Sequence, residues 1–127
     1  MSDRRTWLLL ALVLWTGCAS SWCGLKGPAG AFERLRAAES VRSSHVDAAG
    51  APTCEWEAFR VLSRSTDDLW FRRLVLEADA PGRLYGLGGL ALLAPSRFQE
   101  VLPGFLVDST EVDTVYGCNF NRQTVGE

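Results

Sequence analysis

Three groups of residues in this chain have the types and spacing that chemistry asks for. Gly86-Leu87-Gly88-Gly89-Leu90-Ala91 satisfies the dinucleotide fingerprint G-x-G-x-x-G/A, and Asp108 follows about twenty residues on, where an acidic ribose partner is expected. That fingerprint works where a strand ends and a helix opens, so that free helix amides face a pyrophosphate. Here no strand-like run precedes the glycines. Pro81-Gly82 lies just upstream, and the glycines fall inside an apolar helical pattern. Close approach of another helix to Gly86 and Gly89 fits better, at about 1 kcal/mol of lost helix propensity for each glycine. No cofactor is expected.

The second group, Ser43-Ser44-His45-Val46-Asp47, holds the ingredients of a hydrolytic triad and the single histidine of the chain. Side chains this close in sequence do not aim at one another; triads are assembled from separate elements. The third group is acidic: Asp67-Asp68, then Asp108, Glu111 and Asp113. It lacks the glycine-centred spacing of a calcium loop and reads as helix caps and solubilising charge. No Cys/His set has zinc spacing, so no metal is expected. With neither a catalytic set nor a metal set, the expectation is a protein that is not an enzyme.

The elements that would position these residues read as mainly α. Phe32, Leu35 and Ala38 predict a short amphipathic helix over Ala31 to Val41, and Ser43 to Thr53 reads as a loop. Trp56, Phe59 and Leu62 stripe a helix from Glu55 to Arg64. Ser65 to Asp68 offer caps for the next, Leu69 to Ala78, which carries Phe71 and Leu74 on one side. Pro81 suits the first turn of a third, Arg83 to Ala94, with Leu84, Leu87 and Ala91 on its inward face and Leu90 and Leu93 beside them. A short helix from Ser96 to Leu102 is expected to stop at Pro103-Gly104. Val112 to Tyr116 reads as an extended segment docked on the helices, and 121–127 as a frayed tail. Trp56, Phe59, Trp70 and Phe71 are spaced as core residues rather than as a ligand groove.

The first eighteen residues give an address. Arg4 and Arg5 precede an uncharged run, Trp7 to Trp15, which is too short to span a bilayer and long enough for an export signal. Gly17-Cys18 follows, then Ala19-Ser20-Ser21. This stretch resembles the lipobox of bacterial lipoproteins, with Trp15 standing where that family usually has leucine. The resemblance implies a cleaved signal peptide (1–17) and a Cys18 that carries lipid, palmitate included, as the new N-terminus. Ala19, in place of the aspartate of inner-membrane retention, implies an outer-membrane lipoprotein facing the periplasm. An ordinary secretory signal cleaved near Ala19-Ser20-Ser21 is the alternative. Residues 18–30 then read as a flexible tether and 31–120 as one helical domain.

The domain resembles a HEAT-type helical repeat protein over Cys54 to Leu102, on Phe71, Leu74 and the run Gly82-Arg83-Leu84-Tyr85-Gly86-Leu87. A small helical bundle with a short extended C-terminal segment is the other reading. An exported chain meets an oxidising compartment, so cysteine pairing is the default. With Cys18 lipidated and Cys23 in the tether, Cys54 and Cys118 are the expected disulfide, worth about 4 kcal/mol on the chain-entropy model.

The full chain carries a net charge of −2, and removing 1–17 makes it one unit more negative. That balance gives no clustered basic face for nucleic acid. The expected function is therefore an exported, lipid-anchored envelope protein that touches the membrane through its anchor and binds an envelope protein. Such a protein should expose an apolar patch. The alternative is a small secreted enzyme or ligand-binding module, with polar groups converging on a pocket around His45 or the acidic tail.

Overall fold

Helix α1 (Gly27–Arg36) opens on Gly27, whose φ of +65° turns the chain, and Pro28 sets the first turn. A computed structural model describes residues 23–46 and 51–127, with the backbone alone at 44–46 and 51–52. After α1 come β1 (Ser40–Val46), β2 (Ala51–Pro52), α2 (Cys54–Ser63), α3 (Leu69–Glu77), α4 (Ala80–Leu93), α5 (Pro95–Leu106), β3 (Glu111–Gly117) and β4 (Asn119–Thr124). The chain is mainly α. Its strands form one mixed sheet in the order β2-β1-β3-β4, with β1 and β3 parallel and the other neighbours antiparallel.

The core lies where α1, α2, α3 and α4 meet. Phe32, Leu35, Ala58, Leu62, Phe71, Leu74 and Leu90 are all buried there. The ring of Phe59 links three helices, lying 5.7 Å from Trp56, 5.4 Å from Phe71 and 6.3 Å from Tyr85. Close approach of α4 is what makes this core dense. A Cβ on Gly82 would come within 2.6 Å of the Leu35 carbonyl, one on Gly86 within 2.9 Å of the Phe71 carbonyl, and one on Gly89 would collide with the Phe71 ring. Gly86 of the fingerprint thus belongs, with Gly82 and Gly89, to a helix-crossing surface, whereas a Cβ on Gly88 would make only ordinary contact with the Phe59 ring at 3.8 Å.

The inward face of α4 differs from the expected one. Tyr85, Leu90 and the three glycines are buried, whereas Ala91 is exposed. Leu84 and Leu87 pack against a second, smaller cluster of Ala80, Phe105 and Val125. A helix apolar on nearly all sides has no preferred face by hydrophobicity. The face that lets backbones touch wins, because close packing multiplies dispersion contacts.

Other expectations shift for reasons of tertiary contact. Helix α1 begins inside the stretch read as tether and ends at Arg36 rather than Val41. The stretch from Ser43 to Thr53, expected as a loop, supplies most of β1 and all of β2. Strand β1 forms because partners close both its edges. On one side it pairs with β3, Ser40 opposite Asp113 and Arg42 opposite Val115. On the other, the Arg42 N–H donates to the Tyr85 hydroxyl at 2.8 Å, and that hydroxyl donates to the Arg42 carbonyl at 3.3 Å. Burial pushes the Tyr85 hydroxyl up to about 12. Farther along, the Thr53 hydroxyl donates to the Ser43 carbonyl at 3.0 Å while accepting from the Trp56 N–H as the N-cap of α2.

Helix α5 runs through Pro103 to Leu106 instead of stopping at Leu102. Proline forfeits one helical hydrogen bond. Continuing by another turn brings Phe105 into the second cluster. The C-terminus is not frayed: β4 continues to Thr124 and Val125 is buried, its N–H donating to the Thr110 carbonyl at 2.9 Å.

The disulfide also differs. Cys23 pairs with Cys54, Cα atoms 5.4 Å apart, and Cys118 is exposed and free. The expected Cys54–Cys118 bridge fails because Cys118 sits in the tight turn of the β3–β4 hairpin, between Gly117 at φ +58° and Asn119. The chain at Cys23, just ahead of α1, meets the first residue of α2 instead.

Candidate functional site: an apolar groove between α3 and α5

Helix α3 is amphipathic in an unusual way. Phe71 and Leu74 face the core at 0 % exposure, but Leu69 and Leu76, seven residues apart and so on one side, face outward at 44 % and 83 %. They flank a groove of about 320 Å³ between α3 and α5, floored by Leu90 of α4 and walled by Val75 and Val101. Arg72, Arg73, Arg97 and Glu100 form its rim.

The rim arginines are held in place. Asp67 accepts the Leu69 N–H at 2.9 Å and starts α3, which frees Asp68 for a different task. The Asp68 carboxylate lies 3.2 Å from the Arg72 guanidinium and 3.0 Å from that of Arg97, tying α3 to α5 across the groove. Arg73 pairs with Glu77 at 3.0 Å and lies 4.3 Å over the Phe32 ring. The Asp67-Asp68 pair is therefore half cap, as expected, and half interhelical clamp.

The other expected residues take structural roles or fall outside the described part. Asp108 accepts from the Thr110 N–H at 2.8 Å and from Arg83 at 3.1 Å. The Thr110 bonds, with Arg83 beside them, hold its carboxyl below the ordinary range. Asp113 is likewise lowered, by the Arg122 guanidinium 2.9 Å away, and Glu111 lies 3.9 Å from the same arginine. His45 is in β1, its backbone opposite Pro52. Asp47 and Cys18 lie outside the described residues, as does the stretch expected to be a signal peptide. Among the described residues no three His, Cys, Asp or Glu side chains converge as a metal set, and no helix is long and apolar enough to cross a membrane.

A second depression, of about 470 Å³, lies on the open face of the sheet. Its charged groups, Arg42, Asp113 and Arg122 among them, are engaged with near neighbours: Arg42 Nε donates to Ser40 Oγ at 2.9 Å, and Arg122 pairs with Asp113. The α3–α5 groove thus has the larger unmet demand, since its apolar walls face water. The sequence signal for it was the Leu69/Leu76 spacing on the side of α3 away from Phe71 and Leu74. No protein-family model, curated protein or solved structure matches the chain.

Proposed function

We propose that this chain is an exported bacterial envelope protein, held to the outer membrane on its periplasmic side by lipid on Cys18, that binds an apolar segment of a partner protein in the α3–α5 groove. Its role is binding rather than catalysis. The observation that carries the reading is the outward Leu76, 83 % exposed beside an apolar groove whose rim is clamped by ion pairs. A preformed groove of that kind costs little ordering when a partner docks. The Cys23–Cys54 disulfide supports an oxidising compartment. The helical part fits a small bundle better than a HEAT-like solenoid. In a solenoid each unit touches only its neighbours, whereas α4 contacts all four of the other described helices.

The test is site-specific photo-crosslinking in living cells, with the reactive side chain at Leu76 and, as control, at Leu92, which is 63 % exposed outside the groove. The proposal expects a discrete protein adduct from position 76, none from 92, and wild type but not Cys18→Ser in the membrane fraction. Equal labelling from both positions would sink the groove. A Cys18→Ser variant still bound to the membrane would sink the anchor.

A further inference from the structure

The hairpin ends the sheet on an open edge. Among the described residues, no strand pairs with the outer side of β4. Residues two apart in a strand turn their backbone groups the same way. At Thr124 those groups point away from β3: its N–H donates to a Glu127 carboxylate oxygen at 2.7 Å, and its carbonyl accepts the Glu127 N–H at 3.1 Å. The alternate residue Asn121 turns its carbonyl inward, where the Thr114 hydroxyl reaches it at 3.4 Å. Phe120 and Arg122 share the parity of Thr124, so their N–H and C=O groups face outward. Unlike Thr124, they are not covered by the C-terminal turn. Phe120 is also 72 % exposed, an apolar side chain on an unpaired edge.

We propose that β4 pairs antiparallel with β4 of a second copy of this chain, about a two-fold axis at Asn121, so that Phe120 stands opposite the partner's Arg122. Three registers have the right parity, and two fail. Centring on Arg122 would place two guanidiniums face to face, which is destabilising, and would set Phe120 against the already occupied Thr124. Centring on Phe120 would set Arg122 against the turn residue Cys118. Centring on Asn121 matches every free backbone group with a free backbone group. It also lays each arginine, charge-balanced by its own Asp113 at 2.9 Å, across an aromatic ring. Phe120 and Arg122 stand one residue to either side of Asn121, so an antiparallel copy sets the aromatic of each strand against the arginine of the other, and that self-complementarity is why a second copy fits the edge. The two sheets become one. So short a contact is of the weak, concentration-dependent class.

The test is disulfide trapping in the full chain with Cys118→Ser as background. Asn121 meets the partner's Asn121 as a non-hydrogen-bonded pair, with Cα atoms about 4.5 Å apart, which a disulfide spans. Asn121→Cys should therefore form a covalent dimer under a mild thiol oxidant. Gln123→Cys, offset from its counterpart by about 13 Å along the strand, should stay monomeric. Adding Phe120→Arg sets like charges opposite each other and should cut the Asn121→Cys dimer about tenfold. Positions 120, 121 and 123 are all exposed, so a matching thermal midpoint verifies each fold. Trapping at 121 and 123 alike, trapping at neither, or a yield indifferent to Phe120→Arg would each overturn the proposal.

Discussion

The α3–α4 seam and the β3–β4 hairpin are held together by different physics. In the seam, Gly86 and Gly89 remove side chains so that two helices meet closely over Phe71 and Leu74, both fully buried, and Gly82 lets α4 approach the Leu35 carbonyl of α1 in the same way. Nothing charged takes part, and tolerance is set by volume. The hairpin is nearly the reverse. Every β4 side chain up to Gln123 is exposed, and Arg122 spans Asp113 and Glu111 on β3. Val112, Thr114 and Val115 of β3 are buried, but the outer strand is set by register and charge, and water competes for its side-chain contacts. The seam therefore carries stability, and the hairpin carries adaptable surface.

The largest effect should come from emptying the seam. Phe71→Ala removes the ring that fills the space over Gly89 and should cost about 3–5 kcal/mol in denaturant unfolding. Gly89→Ala should cost about 1–3 kcal/mol from overpacking, although alanine is the better helix former. In a Phe71→Ala background the same Gly89→Ala change should become nearly harmless, because the colliding ring is gone. Additive costs would mean that the glycine is not there for the ring.

Acid should separate the two regions. Arg122 lowers the Asp113 carboxyl, and the Thr124 N–H lowers that of Glu127. A depressed folded-state value gives stability that is complete above the unfolded carboxylate range. That stability is lost as pH falls through the folded value. Below about pH 4 the β4 amide resonances should therefore shift or broaden while those of α4 stay in place. Simultaneous loss would contradict the division. The smallest effect belongs to Asp113→Asn, which should leave the unfolding midpoint almost unchanged and remove the acid response around Arg122 while that of Thr124, held by Glu127, persists.

Much of the helical core was legible in the sequence because helical periodicity is local. Phe32, Leu35, Leu62, Phe71 and Leu74 are buried as their spacing predicts. The face of α4 was not legible from hydrophobicity, since Leu84, Leu87, Leu90 and Leu93 surround it. The spacing of Gly82, Gly86 and Gly89 held that information as steric permission. Strand β1 was hidden because two of its partners, β3 and Tyr85, are distant in sequence and its own residues are mostly small and polar. The disulfide turned on where the domain begins. Cys23 looked like tether until α1 proved to start at Gly27. The groove could be seen only once α5 lay beside the outward side of α3.

One mass measurement tests the central claim, a lipid-anchored domain closed by Cys23–Cys54. The protein would be taken from the bacterial envelope, alkylated without reduction, and weighed intact. The account predicts a chain beginning at Cys18, heavier by its acyl groups, with a single alkyl added at Cys118. A chain beginning elsewhere without lipid, or one carrying alkyl groups on Cys23 and Cys54, would contradict it.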